Sequence, residues 1–209
     1  MLFNGMSVEQ MILLIPPLLF ALCFHEFSHA YVAYRLGDMT AARLGRLTLN
    51  PTAHLDPIGS LMILFVGFGW AKPVPVNPRY FQDPRKGMML VAFAGPASNL
   101  LLAALGGLAI RLFYPLLVGT HFMPMLLNFI MINCALCMFN MIPVHPLDGS
   151  QILSGYLLSK NPELVYKIQH YGPQVLFGLI FFGFITNISI IWWVIGPFVM
   201  FFTQLFTGL

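Results

Sequence analysis

Charge is what this sequence is short of. Asp, Glu, Lys and Arg make up 8% of its 209 residues, against roughly 25% in a typical soluble domain. So few charges cannot cover the surface of a water-soluble globule of this length. The net charge of +3 is too small to argue for a nucleic-acid partner, and no basic stripe with interleaved aromatics is present. Cysteine is scarce too. Cys23, Cys134 and Cys137 all sit in apolar sequence. The C-x-x-C of Cys134 and Cys137 lacks the second pair that a zinc knuckle needs, so the three read as small buried hydrophobes and imply no disulfide framework. No basic residue precedes Arg35. The beginning of the chain therefore lacks the basic region of a signal peptide, and the apolar run 11–24 reads as part of a retained span.

What the chain has in abundance is apolar sequence, 58% of its residues, in long runs separated by short polar segments. That pattern predicts an all-α polytopic membrane protein with spans near 8–36, 87–113, 125–142, 173–186 and 189–207. Pro16 and Pro17 are expected to kink the first span or mark its early turns. The last apolar stretch is too long for one crossing, and Asn187 near its middle marks a helical hairpin. Residues 57–70 are too short for a span. They continue into Trp70-Ala71-Lys72-Pro73-Val74-Pro75-Val76-Asn77-Pro78, where the prolines exclude a helix. Residues 57–78 are accordingly read as a re-entrant or interfacial segment with a short extended stretch. The whole chain, 1–209, is read as a single membrane-embedded domain. Arg35, Arg43, Arg46, Lys72, Arg79, Arg85 and Lys86 form one basic stretch, and Lys160 and Lys167 another. By the positive-inside rule both are expected to face the cytoplasm.

The sharpest chemical signal is His25-Glu26-Phe27-Ser28-His29, an H-E-x-x-H. Helical residues four apart differ by about 40° in azimuth and roughly 6 Å in rise, so both imidazoles can reach one zinc. Glu26 on the flank of that face can act as general base towards a water that the metal activates. Glu26 is one of seven carboxylates and stands alone in being flanked on both sides by apolar helical sequence. An ionisable group at that depth is a functional hypothesis by default.

A catalytic zinc needs a third protein ligand and an open position. The inner end of the 125–142 span delivers Asp148 to the same side as the histidines, which makes it the best third ligand by topology. His145 and His54 are rivals, each better read as a supporting or ordinary loop histidine. His121 falls on the opposite side, and His170 has no assigned role. Asn140, His54 and Asn99 are candidates for contacting substrate or its oxyanion.

Three ordered motifs carry a resemblance. They are His25-Glu26-x-x-His29, Gly95-Pro96-Ala97-Ser98-Asn99, and Asn140-Met141-Ile142-Pro143-Val144-His145-Pro146-Leu147-Asp148-Gly149. The chain resembles the site-2 protease family of intramembrane zinc metalloproteases, in particular compact prokaryotic members without PDZ or CBS domains. The resemblance implies a three-helix catalytic core, one Zn2+ per chain, and assignment of Asp148 as the ligand completing the site with His25 and His29. It also implies a prokaryotic cell membrane, with the site opening towards the cytoplasm. Its expected partners are the lipid bilayer and a transmembrane protein substrate. Homo-oligomerisation is left open. His145, where relatives commonly carry Pro, and Gln151 depart from the pattern without touching the ligand set.

The expected activity is hydrolysis of a peptide bond in or near a transmembrane segment, with Glu26 as general base and the unwound substrate pairing with the extended stretch 72–78. The alternatives are a metal transporter, which would want ligands reachable alternately from both faces, a catalytically inactive scaffold, and another membrane zinc hydrolase.

Overall fold

The computed structural model of the chain describes residues 7–66 and 69–209. Among the described residues the elements are helical, with one isolated antiparallel bridge, Leu55 to Ala71. The first helix, α1, spans Val8–Arg35 and starts in a capping box: the Ser7 side chain accepts from the Gln10 N–H, and the Gln10 side chain accepts from the Ser7 N–H. It continues as one helix through Pro16 and Pro17. Three short helices follow, α2 Thr40–Arg43, α3 Pro51–His54 and α4 Pro57–Val66. Residues 72–77 are non-helical and lead into a 3-10 turn, Pro78–Tyr80. Helix α5, Pro84–Leu117, opens on Asp83 as N-cap and departs from helical geometry at Phe113, two residues before Pro115. Helix α6 covers Phe122–Asn140, α7 Asp148–Leu157, α8 Pro162–Thr186 and α9 Ile190–Thr207.

Five of these helices, α1, α5, α6, α8 and α9, are long and apolar enough to cross a membrane. The chain is an all-α integral membrane protein. Helices α1, α5 and α6 pack against one another as the three-helix core, and α9 joins α5 and α6. The hairpin expected at Asn187 is present, with that residue left-handed at φ 58° as it ends α8. Two elements depart from expectation. Helix α8 begins at Pro162, with Asn161 as its N-cap, well before the predicted 173. Its first turns are amphipathic and carry no apolar run. Helix α7 lies outside the predicted spans, because Gly149, Ser150, Ser154 and Gly155 dilute its helical signal.

Helix α5 shows how lipid inverts the usual pattern. Leu101, Leu105, Leu108 and Leu112 are each at least half exposed, on one stripe, while Ala103 and Ile110 are buried at no more than 1% exposure on the other. Hydrocarbon gives leucine no reason to turn inwards, so the interior goes to small residues that let helix backbones approach. Gly107 is one such approach: a Cβ there would lie 2.6 Å from the Phe206 Cβ of α9 and 2.7 Å from its backbone. Arg111, one turn on, donates to the Leu205 and Phe206 carbonyls at 2.5 and 2.7 Å and so closes the C-terminal end of α9.

The α5–α9 contact is therefore intolerant of bulk. Gly107→Leu forces the helices apart at a cost of about 1–3 kcal/mol. Its thermal midpoint in detergent should fall by several degrees. Gly178→Leu on α8, where a Cβ meets nothing within 4 Å, should leave that midpoint unchanged.

Candidate metal centre

The site is assembled from three elements. His25 and His29 stand one turn apart on α1, buried at 5% and 9% exposure. Asp148 is the first residue of α7 and arrives from the C-terminal end of α6. Gly149 makes that arrival possible, because a Cβ there would lie 2.3 Å from the Met141 carbonyl oxygen. At its other end α7 is held by Arg85 of α5, whose guanidinium donates to the Gly155 and Tyr156 carbonyls and to Ser159 Oγ. Gly95 of α5 forms the floor: a Cβ would come within 2.5 to 2.6 Å of both imidazoles.

Hydrogen bonding fixes the state of the two rings. The Phe129 carbonyl can only accept, and it takes Asn133 Nδ2 at 2.8 Å. Asn133 Oδ1 then accepts from Asn99 Nδ2 at 2.8 Å, and Asn99 Oδ1 faces His25 Nδ1 at 2.6 Å. The chain has one polarity, so His25 Nδ1 must be its donor. His29 Nδ1 lies 2.7 Å from the Val91 carbonyl, which again can only accept. Both rings thus spend their Nδ1–H on protein oxygens, and as neutral imidazoles they present Nε2 lone pairs.

Those lone pairs meet. The Nε2 atoms are 3.0 Å apart, and Asp148 Oδ2 lies 3.1 Å from one and 3.3 Å from the other. Despite these distances, Asp148 Oδ2 is a buried oxygen without a properly directed hydrogen bond. As a metal ligand Asp148 would act in its carboxylate form. Three acceptors forming a triangle without a proton between them repel one another unless a cation sits among them. For tetrahedral zinc at roughly 2.0–2.1 Å from N and O ligands, ligand atoms are separated by about 3.3–3.4 Å. The triangle fits that ion closely, and its one carboxylate and two imidazoles are the donor types zinc accepts.

Glu26 stands outside the triangle. Its Oε2 accepts from the Val74 backbone N–H at 3.1 Å, while Oε1 has no partner among the described residues. This contact alters one expectation. The Val74 N–H, read from sequence as a donor for an incoming strand, is already engaged by Glu26.

Other candidates fall elsewhere. Asn99 is fully buried and bonded at both ends, including Ala21 O at 3.3 Å, so it has no group left for substrate; it holds His25 instead. His54 is also buried, with Nε2 2.7 Å from the Thr48 carbonyl, and is no part of the triangle. Asn140 closes α6 and donates to the Leu136 carbonyl at 3.0 Å. The His145 Nδ1 is buried without a partner, and its backbone packs on Gly172 of α8. His121 pairs with Glu9 at an exposed position, and His170 stacks on Tyr166. Sequence reasoning missed Asn133, Arg85, Asp38 and Arg46. A buried Asn in an apolar span is itself a signal, and Asn133 could have been found on that ground.

Comparison with known proteins points to zinc metalloproteases. Over 151 residues, 67% of this chain and 67% of the relative, it is 46% identical to "Putative zinc metalloprotease YwhC" of Bacillus subtilis. It is 33% identical to "Putative zinc metalloprotease Rip2" of Mycolicibacterium smegmatis, over 75% of this chain and 60% of that protein. Rip2 of Mycobacterium tuberculosis is again 33% identical, over 78% of this chain and 62% of its own length. The chain thus spans less than two thirds of the Rip2 proteins it matches. No protein-family model and no solved structure matches it. With a zinc-fitting triangle on an H-E-x-x-H helix, and relatives at this identity, the chain belongs to the site-2 protease family of zinc metalloproteases.

Proposed function

We propose that this zinc metalloprotease cleaves peptide bonds in or near transmembrane segments of membrane proteins, with His25, His29 and Asp148 holding zinc and Glu26 as general base. The observation that carries the reading is the acceptor triangle with a carboxylate beside it, all on or against helices of membrane-spanning length. When bound, zinc supplies Lewis acidity, lowering the pKa of water and polarising a carbonyl.

The chain's own residues do the rest. Asn99 and the Val91 carbonyl keep the imidazoles in the ligating tautomer. Glu26, with Oε1 open, takes the proton of the attacking water and passes it to the leaving amine. Asn140 is the candidate oxyanion donor, and its Nδ2 would exchange the Leu136 carbonyl for the developing charge. The basic residues near the C-terminal end of α1 and the start of α5 favour a cytoplasmic opening in a bacterial inner membrane.

Glu26→Gln should keep its zinc, measured by elemental analysis of purified protein, and lose at least about 100-fold of its proteolytic activity. Cleavage at the wild-type rate would remove Glu26 from its role. Gly95→Ala places a methyl group against both imidazoles. Asn99→Leu leaves His25 without its acceptor. Each should weaken zinc binding by about 10–100-fold in competition with a chelator.

A further inference from the structure

We propose that residues 72–77 form a strap whose one task at the site is to hold Glu26 in place through the Val74 N–H, with Arg46 and Asp38 as positioning residues that clamp the strap. The inference rests on Glu26 being the general base.

The strap is pinned along its length. The Lys72 N–H donates to the His54 carbonyl at 2.7 Å. Arg46 Nη2 donates to the Lys72 carbonyl at 2.6 Å and reaches the Pro73 carbonyl at 3.4 Å. The Val74 N–H takes Glu26 Oε2 at 3.1 Å. The Asn77 N–H donates to Asp38 Oδ2 at 2.6 Å.

Arg46 and Asp38 are 7% and 0% exposed. Burying a charge is expensive. Here a buried cation is spent on carbonyl oxygens of the strap, with its Nε left unpartnered, and a buried carboxylate divides itself between Thr40 and Asn77. A loop that merely connected helices would need neither.

The sequence of the strap explains the rest. Pro73 and Pro75 flank Val74, and neither carries an N–H. A slip by one residue in either direction would therefore present Glu26 with no donor at all. Lys72, Val74 and Asn77 each precede a proline, which biases them to extended backbone. The result is a stiff segment offering one donor at one position. Glu26 neighbours two metal-binding imidazoles, and an unrestrained carboxylate there could swing onto the cation. The Val74 N–H holds one oxygen away and leaves the other open.

The test uses the purified full chain in detergent, with fluorescein-labelled casein as probe substrate. Val74→Pro removes the donor, while Val74→Ala keeps it. Arg46→Ala removes the clamp, and Arg46→Lys restores one bond to the strap. The expected result is a kcat about 10- to 100-fold lower for Val74→Pro and Arg46→Ala, with KM within twofold and zinc content unchanged. Val74→Ala and Arg46→Lys should stay within a few fold of wild type. A wild-type kcat for Val74→Pro overturns the proposal, as does a loss carried by KM, which would make the strap a substrate-binding edge instead. Should Arg46→Ala fail to fold, the Val74 pair decides alone. Activity in Glu26→Gln would sink the proposed function itself; an inactive Glu26→Gln beside a fully active Val74→Pro would sink only the strap.

Discussion

Two imidazole nitrogens held 3.0 Å apart beside a carboxylate, with their Nδ1 protons already spent, are the constraint around which this protein is organised. Such an arrangement is unfavourable in an empty apolar interior, and every feature near it either enforces it or compensates for it. The Asn99–Asn133 chain and the Val91 carbonyl take the Nδ1 protons. Gly95 removes the side chain that would push the rings apart. Asp148 brings negative charge to the same point. A cation resolves the repulsion, so the helix bundle and its metal are expected to be mutually dependent.

The bilayer shapes how that centre is built. With the leucines of α5 facing outwards and its small residues inwards, α1, α5 and α6 come close enough for short, buried side chains to bridge them. One polar path then connects all three: His25 on α1, Asn99 on α5, Asn133 on α6. In hydrocarbon an unsatisfied amide costs several kcal/mol, so this path also fixes how the helices are rotated against one another. Catalytic geometry and helix packing are here the same set of contacts.

Much of this was legible in the sequence because it is local or set by topology. The five spans followed from apolar run length, the hairpin from Asn187, and the imidazole pair from the spacing of His25 and His29. Asp148 was placed by counting crossings. What escaped reading depends on contacts between distant residues. The partner of Glu26 is 48 positions away, and that of His25 is 74 positions away. Nothing in a single sequence marks Arg46 and Asp38 as buried partners of the 72–77 backbone, or Asn99 as the hydrogen-bond partner of His25. Helix α7 was missed because Gly149 and Gly155 serve close packing against the Met141 carbonyl and the Met89 side chain of α5, and so weaken the periodicity that would have announced it.

Zinc K-edge X-ray absorption on the purified protein tests the central claim most directly. The account predicts a first shell of nitrogen and oxygen only, at roughly 2.0–2.1 Å, with outer-shell scattering from two imidazoles. Sulfur at about 2.3 Å, which would bring Cys23, Cys134 or Cys137 into the metal site, or a spectrum without imidazole scattering, would contradict it.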